Sequence, residues 1–204
     1  TMKIIAIGRN YIDHAKELNN PVPKEPIFFL MPETALLRNN QPFFYPDFSS
    51  DIHYELEIVI KLNRLGKTIS KKYAPRYYSE IALGIDFTAR DLQQKCKEKG
   101  LPWEISKSFD GAAPISQFVS LDKFESINNI NFRLELNGKI VQQANTSEMI
   151  FPVDELISYV SQFMTIKIGD LLFTGTPAGV GPVKIGDRLT AYLEDEKMLD
   201  FVVK

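Results

Sequence analysis

Apolar residues recur along the chain in short runs, at 4–7, 28–30, 58–62, 81–87, 132–136, 171–173, 189–193 and 201–203, separated by polar and turn-forming residues. Runs of this length, rich in β-branched and aromatic side chains, predict strands. Three segments, 11–19, 89–99 and 153–164, carry a helical period instead. In the last, Leu156, Ile157, Val160, Phe163 and Met164 recur on one face and predict a core-packing helix. Asn137-Gly138, between FRLEL and KIVQQ, predicts a tight hairpin, because both residues tolerate the positive φ of a primed turn. The tetrapeptide KIGD occurs at 167–170 and again at 184–187, each time ahead of an apolar run, which predicts two similar turns entering a sheet. Strands dominate and no regular helices separate them. The expected architecture is therefore α+β and strand-rich, a mixed β-sheet roll or barrel with a few short helices, rather than a doubly wound sheet.

Length and charge narrow the partners. With 204 residues, 12 scattered prolines and no Ser- or Pro-rich linker, one domain spanning 1–204 is expected. A formal net charge of -2 leaves no basic face for nucleic acid, and the short lysine groups at 71–72 and at 95, 97 and 99 read as solvated surface. The opening KIIAIGRNY is too short in apolar residues for a signal or a membrane span, and Thr1, ahead of Met2, is left out of functional reasoning. Cys96 is the single cysteine, so no internal disulfide forms and a reducing cytoplasm is the expected location.

Candidate chemistry starts with carboxylates in apolar surroundings. In HYELEIVIKL, Glu55 and Glu57 sit two apart and leave the same face of a strand whose continuation, Ile58 to Ile60, is core-like. Asp86 sits within a second apolar run, ALGIDFTAR. Buried carboxylates repel and lose hydration unless a cation or a proton compensates them. All-oxygen ligation selects hard ions, Mg²⁺ or Mn²⁺ first, with Ca²⁺ also admissible. The spacing equally permits an outward-facing glutamate or an arginine pair, with Arg90 and Lys107 as candidate cations.

His14 and Glu17 share a helix face, where the carboxylate can orient the imidazole as a general base or simply form an exposed pair. His53 shares strand parity with Glu55 and Glu57, which makes it a supporting partner of that pair or a strand-edge residue. LLFTGTPAGVGPVKIGD lacks the Gly-Lys-Ser/Thr end of a phosphate loop. Its backbone amides and threonine hydroxyls suit a carboxylate or an oxyanion, or else tight turns between strands.

In order along the chain, GRNYIDHAKEL, HYELEIVIKL, GIDFTARDLQ, SKSFDGAAPIS, LNGKIVQQANTSEMIF and GDLLFTGTPAGVGPVKIGD resemble the fumarylacetoacetate hydrolase family, in its compact acylpyruvase and oxaloacetate decarboxylase branch. The resemblance implies a rolled mixed β fold, a homodimer, and Mg²⁺ or Mn²⁺ held by Glu55, Glu57 and Asp86. It assigns His14 and Glu17 to a catalytic dyad, Lys107 to the active-site lysine, and Arg9, Arg90, Gln93, Gly175, Thr176 and Pro177 to the substrate lining. The implied reaction is cleavage of a carbon–carbon bond in a short 2-keto acid through a metal-stabilised pyruvate enolate, by acylpyruvate hydrolysis or oxaloacetate decarboxylation. Isomerisation of a 2-hydroxy-dienoate is an alternative within the family. A non-catalytic, metal-stabilised dicarboxylate-binding module is an alternative outside catalysis. Met31 departs from the lysine common before the proline of FFLMPETAL, a change that bears on substrate identity. The polar segment of about 10–24, between Arg9-Asn10 and Pro21-Val22-Pro23, is expected to be a weakly anchored lid that carries His14 to and from the site.

Overall fold

All eight apolar runs are strands in the computed structural model, which describes residues 2–204. A six-stranded mixed sheet runs in the order Ile27–Met31, Ile4–Gly8, Leu171–Phe173, Leu56–Leu62, Tyr78–Ile85, Val119–Ser120, with Ile4–Gly8 parallel to Leu171–Phe173 and the other pairs antiparallel. A four-stranded antiparallel sheet joins Lys139–Asn145, Asn131–Leu136, Arg188–Leu193 and Glu196–Val202. A small sheet of Gly181–Pro182, Ile52–Tyr54 and Thr88–Ala89, and a parallel pair of Leu36–Leu37 with Ala113–Pro114, complete the arrangement. The expected roll is present, but it is not a closed barrel: the outer strands of the large sheet, Ile27–Met31 and Val119–Ser120, lie at opposite ends and do not pair with each other.

Four helices are short: α1 (Ile12–Glu17), α2 (Arg90–Lys99), α3 (Glu104–Lys107) and α4 (Val153–Phe163). The periodic residues Leu156, Ile157 and Val160 of α4 are buried in the main core as expected. Asn137 and Gly138 turn the hairpin with φ of 52° and 77°. The two KIGD turns repeat one geometry: the amides of Lys167 and Lys184 each donate to the aspartate three residues on, at 2.7 Å, with Gly169 and Gly186 at positive φ.

The central strand Leu56–Leu62 is buried on both faces. Leu56, Ile58, Ile60 and Leu62 enter the main core, whereas Val59 joins a smaller one built with Ile4, Ala6, Ala82, Ala112, Ala113 and Phe173. Small side chains keep this second core thin, and Glu57 lies on its face of the strand by parity. Gly84 is the cross-strand partner of Glu57, and a Cβ there would stand 2.5 Å from Phe173 and 2.7 Å from Val59. Phe173 therefore packs into the space that glycine leaves open beside the carboxylate. Gly84→Ala is expected to lower stability by about 1–3 kcal/mol through overpacking, read from urea unfolding. A loss below about 0.5 kcal/mol would mean that Phe173 and Val59 yield freely.

Candidate active site

The strand pair that carries the acids changes sheets at one level. Ile52–Tyr54 pairs with Thr88–Ala89 in the small sheet, and Leu56–Leu62 pairs with Tyr78–Ile85 in the large one. Glu55 stands at the break on one strand, and Asp86 lies just past the end of the other, not within it as the apolar run suggested. The Asp86 amide donates to the Glu55 carbonyl at 2.8 Å, so the backbone itself brings the two side chains together. Glu55, Glu57 and Asp86 are all buried and offer oxygens within 4.8 Å of one another. That spread is about twice a metal–oxygen distance of ~2.0–2.6 Å.

Helices deliver the cations. Arg90 opens α2 directly after the small sheet and donates to Glu55 Oε1 at 2.6 Å and to Gln93 Oε1, one turn along, at 2.8 Å. Lys107 ends α3, where its buried ammonium donates to Glu55 Oε2 at 2.7 Å and Asp86 Oδ2 at 2.6 Å. The Gly175 amide donates to Glu57 Oε2 at 2.7 Å. Asp86 Oδ1 is buried and has no partner among the described residues.

These contacts do not keep all three acids ionised. Burial works against the charge on Glu55, but Lys107 and Arg90 overcome it and hold this carboxyl well below the usual range. Burial, with Asp86 nearby, pushes Glu57 well above its ordinary value. Asp86 is pushed up to about 7 by burial, against the pull of Lys107 and reinforced by Glu55. Lys107 loses hydration too, yet Asp86 and Glu55 raise it, so it stays an ammonium. The cluster lacks positive charge. The orphaned Asp86 oxygen and the all-carboxylate donor set fit a hard divalent ion.

Two amides of the glycine-rich segment hold protein carboxylates. Gly175 (φ 97°) donates to Glu57, and Gly179 (φ 98°) donates to Glu17 Oε1 at 3.0 Å. At Gly175 a Cβ would meet that of Asn10 at 2.7 Å, and at Gly179 it would meet the Val141 carbonyl at 2.2 Å, so both positions require glycine. The Thr174 hydroxyl is bound to the Ile58 carbonyl. Thr176 Oγ1 accepts from Gln142 Nε2 at 2.9 Å, which leaves its own hydroxyl proton for the pocket. Pro177 does not line the pocket, and its carbonyl accepts from the same Gln142 amide.

His14 lines this pocket together with the three acids, Arg9, Arg90, Gln93, Lys107 and Thr176. Its Nδ1 is 3.3 Å from Glu17 Oε2, so an Nδ1–H tautomer directed at Glu17 leaves a lone pair on Nε2. Burial lowers the His14 pKa below 6.5 against the raising effect of Glu55 and Glu17, so the ring is neutral at physiological pH. His53 is set apart: its Nε2 pairs with Asp51 at 3.0 Å.

The segment expected as a lid has an anchored start, and one surface reading needs correction. The segment 10–24 is firmly anchored at its start, since Asn10 is fully buried and its amide group bonds the Phe151 carbonyl, the Phe151 amide and the Thr174 carbonyl. Tyr11, His14 and Ala15 are buried as well, whereas Ile12, Asp13 and most of the stretch 16–24 are exposed. Lys97 is not solvated surface, because it is half-buried and lines the pocket beside Trp103. Sequence patterns also missed Gln142, which is buried on an edge strand and bonds Leu56, Thr176 and Pro177. Alternation alone does not mark a buried glutamine, although the polar pair Gln142-Gln143 in a strand next to core residues was a signal.

The family described as fumarylacetoacetate (FAA) hydrolase C-terminal matches residues 3–202. The mitochondrial oxaloacetate decarboxylase of Dictyostelium discoideum is 48% identical over 185 residues, spanning 90% of this chain and 85% of that protein. The mitochondrial oxaloacetate tautomerase of Bos taurus is 40% identical over 201 residues, spanning 98% and 91%. The crystal structure of fumarylpyruvate hydrolase from Pseudomonas aeruginosa, in complex with Mn²⁺ and pyruvate, aligns with a TM-score of 0.94 at 33% identity, covering 100% of this chain and 89% of that one. No helix among the described residues is long and apolar enough to cross a membrane.

The charge deficit fixes a pH dependence. Between the ordinary aspartate value of 3.8 and about 7, the folded protein keeps a proton on Asp86 that the unfolded chain releases. Stability without divalent ions therefore falls as pH rises through that window, and Glu57, raised by the same burial, contributes in the same direction. Ion binding needs the deprotonated carboxylates, so its stabilising effect grows in the same direction. The Tm increase on adding Mn²⁺ is expected to be larger at about pH 8 than at about pH 5, and to vanish in Asp86→Asn. Equal increases at both pH values would contradict the assignment.

Proposed function

We propose, since this chain belongs to the fumarylacetoacetate hydrolase family, that the pocket is the active site of a divalent-metal-dependent enzyme that converts a short 2-keto acid through a pyruvate enolate, with oxaloacetate as its leading substrate. The observation that carries this reading is the opposition, across one pocket, of three carboxylates short of positive charge and a neutral histidine oriented by a glutamate. The names of the relatives, a decarboxylase, a tautomerase and a fumarylpyruvate hydrolase, support it, because all three chemistries pass through an enol or enolate of a 2-keto acid.

Mg²⁺ or Mn²⁺ held by Glu55, Glu57 and Asp86 would act as a Lewis acid toward the carboxylate and keto oxygens of the substrate. Every other part of the mechanism falls to the chain. Arg90 and Gln93, fixed to each other, orient the substrate. In decarboxylation the electron pair of the bond to the departing carboxylate moves toward the keto group, CO₂ leaves, and the enolate takes a proton at carbon. Lys107, held charged by its two acids, is the cation that offsets the negative oxygen. In acylpyruvate hydrolysis, neutral His14 takes a proton from water, which attacks the distal carbonyl, and cleavage of the carbon–carbon bond leaves the same enolate. The Thr176 hydroxyl is placed to donate to the tetrahedral oxyanion. Hydrolysis and decarboxylation thus share one enolate and one cation, and only hydrolysis draws on the base. The whole chain, 1–204, serves as one catalytic domain, and the segment of about 10–24 is its lid, hinged on the Asn10 anchor.

His14→Ala and Glu17→Gln are expected to lower kcat for acetylpyruvate hydrolysis by roughly a hundred- to ten-thousand-fold, the worth of a general base, and to harm oxaloacetate decarboxylation much less. Lys107→Ala and Glu57→Gln should harm both reactions. The measurement is kcat for each substrate at saturating Mn²⁺, with fold checked by circular dichroism. If His14→Ala costs both reactions equally, the base does not act on water. If wild type turns over neither substrate, the catalytic reading fails.

A further inference from the structure

Four basic side chains reach the pocket, and two of them are not used by the acids. Arg90 and Lys107 are engaged by Glu55 and Asp86. Arg9 and Lys97 line the same pocket, and among the described residues neither forms an ion pair or a side-chain hydrogen bond. Arg9 is half-buried and holds a left-handed backbone conformation, φ 60°, which is costly for a residue with a Cβ and is found clustered at functional positions. Burial lowers its pKa with no carboxylate to offset the lost hydration. Burial also lowers the Lys97 pKa, and Arg9 and Arg90 add repulsion. Cations held close together without counter-ions, in a partly dehydrated pocket, are an anion site.

An aromatic wall sets where that anion would sit. Phe29 and Trp103 lie with ring centroids 5.9 Å apart, and Trp103 packs over Gly8. The Lys107 ammonium, which bonds Glu55 and Asp86, is 5.6 Å from the Phe29 ring, and the Lys97 ammonium, which bonds neither acid, is 5.9 Å from the Trp103 ring. A ligand along this wall meets one cation at its keto end and a second at its far end. We infer that Lys97, with Arg9, binds the carboxylate distal to the keto acid, so that the pocket selects 2-keto dicarboxylates over 2-keto acids with a neutral far end. This inference rests on the functional reading above for the position of the keto end.

The test uses Lys97→Met, which keeps the stem of the side chain, and Lys97→Arg, which keeps the charge. In Lys97→Met, kcat/KM for oxaloacetate should fall about tenfold or more relative to kcat/KM for acetylpyruvate, mainly through KM, and Lys97→Arg should restore most of the ratio. Calorimetry with Mn²⁺-loaded protein supplies a readout that needs no turnover. L-malate and L-lactate differ in the distal carboxylate, and Lys97→Met should weaken malate binding selectively. If wild type turns over neither keto acid, the functional reading fails while the malate and lactate pair still decides this one. Equal loss for both members of a pair, or no change in either, would overturn the inference.

Discussion

The rest of the structure depends on the burial of three carboxylates at the level where two paired strands leave one sheet and enter another. Glu55 and Asp86 are brought together by a backbone hydrogen bond at the sheet switch, and Glu57 is added by strand parity. Ionised carboxylates so placed repel each other and are stripped of water. Arg90, Lys107 and the Gly175 amide compensate them in part, and the remainder defines the site: Asp86 pushed up to about 7 with one oxygen unpaired.

The fold around the cluster is arranged so that this balance is rigid. The small-residue core beneath Glu57 allows Phe173 to pack where Gly84 has no side chain. Gln142 joins the start of the central strand to Thr176 and Pro177 and leaves none of its amide capacity idle. Asn10 fastens the base of α1 to the first turn of the α4 region and to the end of Leu171–Phe173, which fixes His14 and, through Gly179, Glu17 on the wall facing the acids. The N-terminal segment that carries His14 and the glycine-rich segment that follows Phe173 meet because the Ile4–Gly8 and Leu171–Phe173 strands are parallel neighbours.

Much of this was legible in the sequence, for physical reasons that differ from residue to residue. Period-two and continuous apolar runs located the strands of the large and four-stranded sheets except Val119–Ser120 and Lys139–Asn145, the second of which the Asn137-Gly138 turn announced, because burial on one or both faces leaves that pattern. Glu55, Glu57 and Asp86 stood out as charges in apolar surroundings, and the geometry groups them. Lys97 was misread because local lysine spacing resembles a solvated helix face, and only tertiary contact with Trp103 turns one lysine inward. Asn10 and Gln142 were missed for a related reason. A buried amide is recognised by the backbone groups it satisfies, and those lie 141 and 86 residues away in the chain. The glycine-rich segment was recognised as functional, but its amides serve Glu57 and Glu17, an arrangement that spacing does not encode.

The central claim is that Glu55, Glu57 and Asp86 together create a cation site whose missing charge is supplied by a divalent ion. Anomalous diffraction from crystals grown with Mn²⁺, collected on both sides of the manganese edge, tests it most directly. The account predicts one strong anomalous peak bounded by carboxylate oxygens of all three residues, with Asp86 Oδ1 among them. Absence of a peak there at saturating Mn²⁺, with Lys107 still bridging Glu55 and Asp86 and Asp86 Oδ1 unpaired, would contradict it.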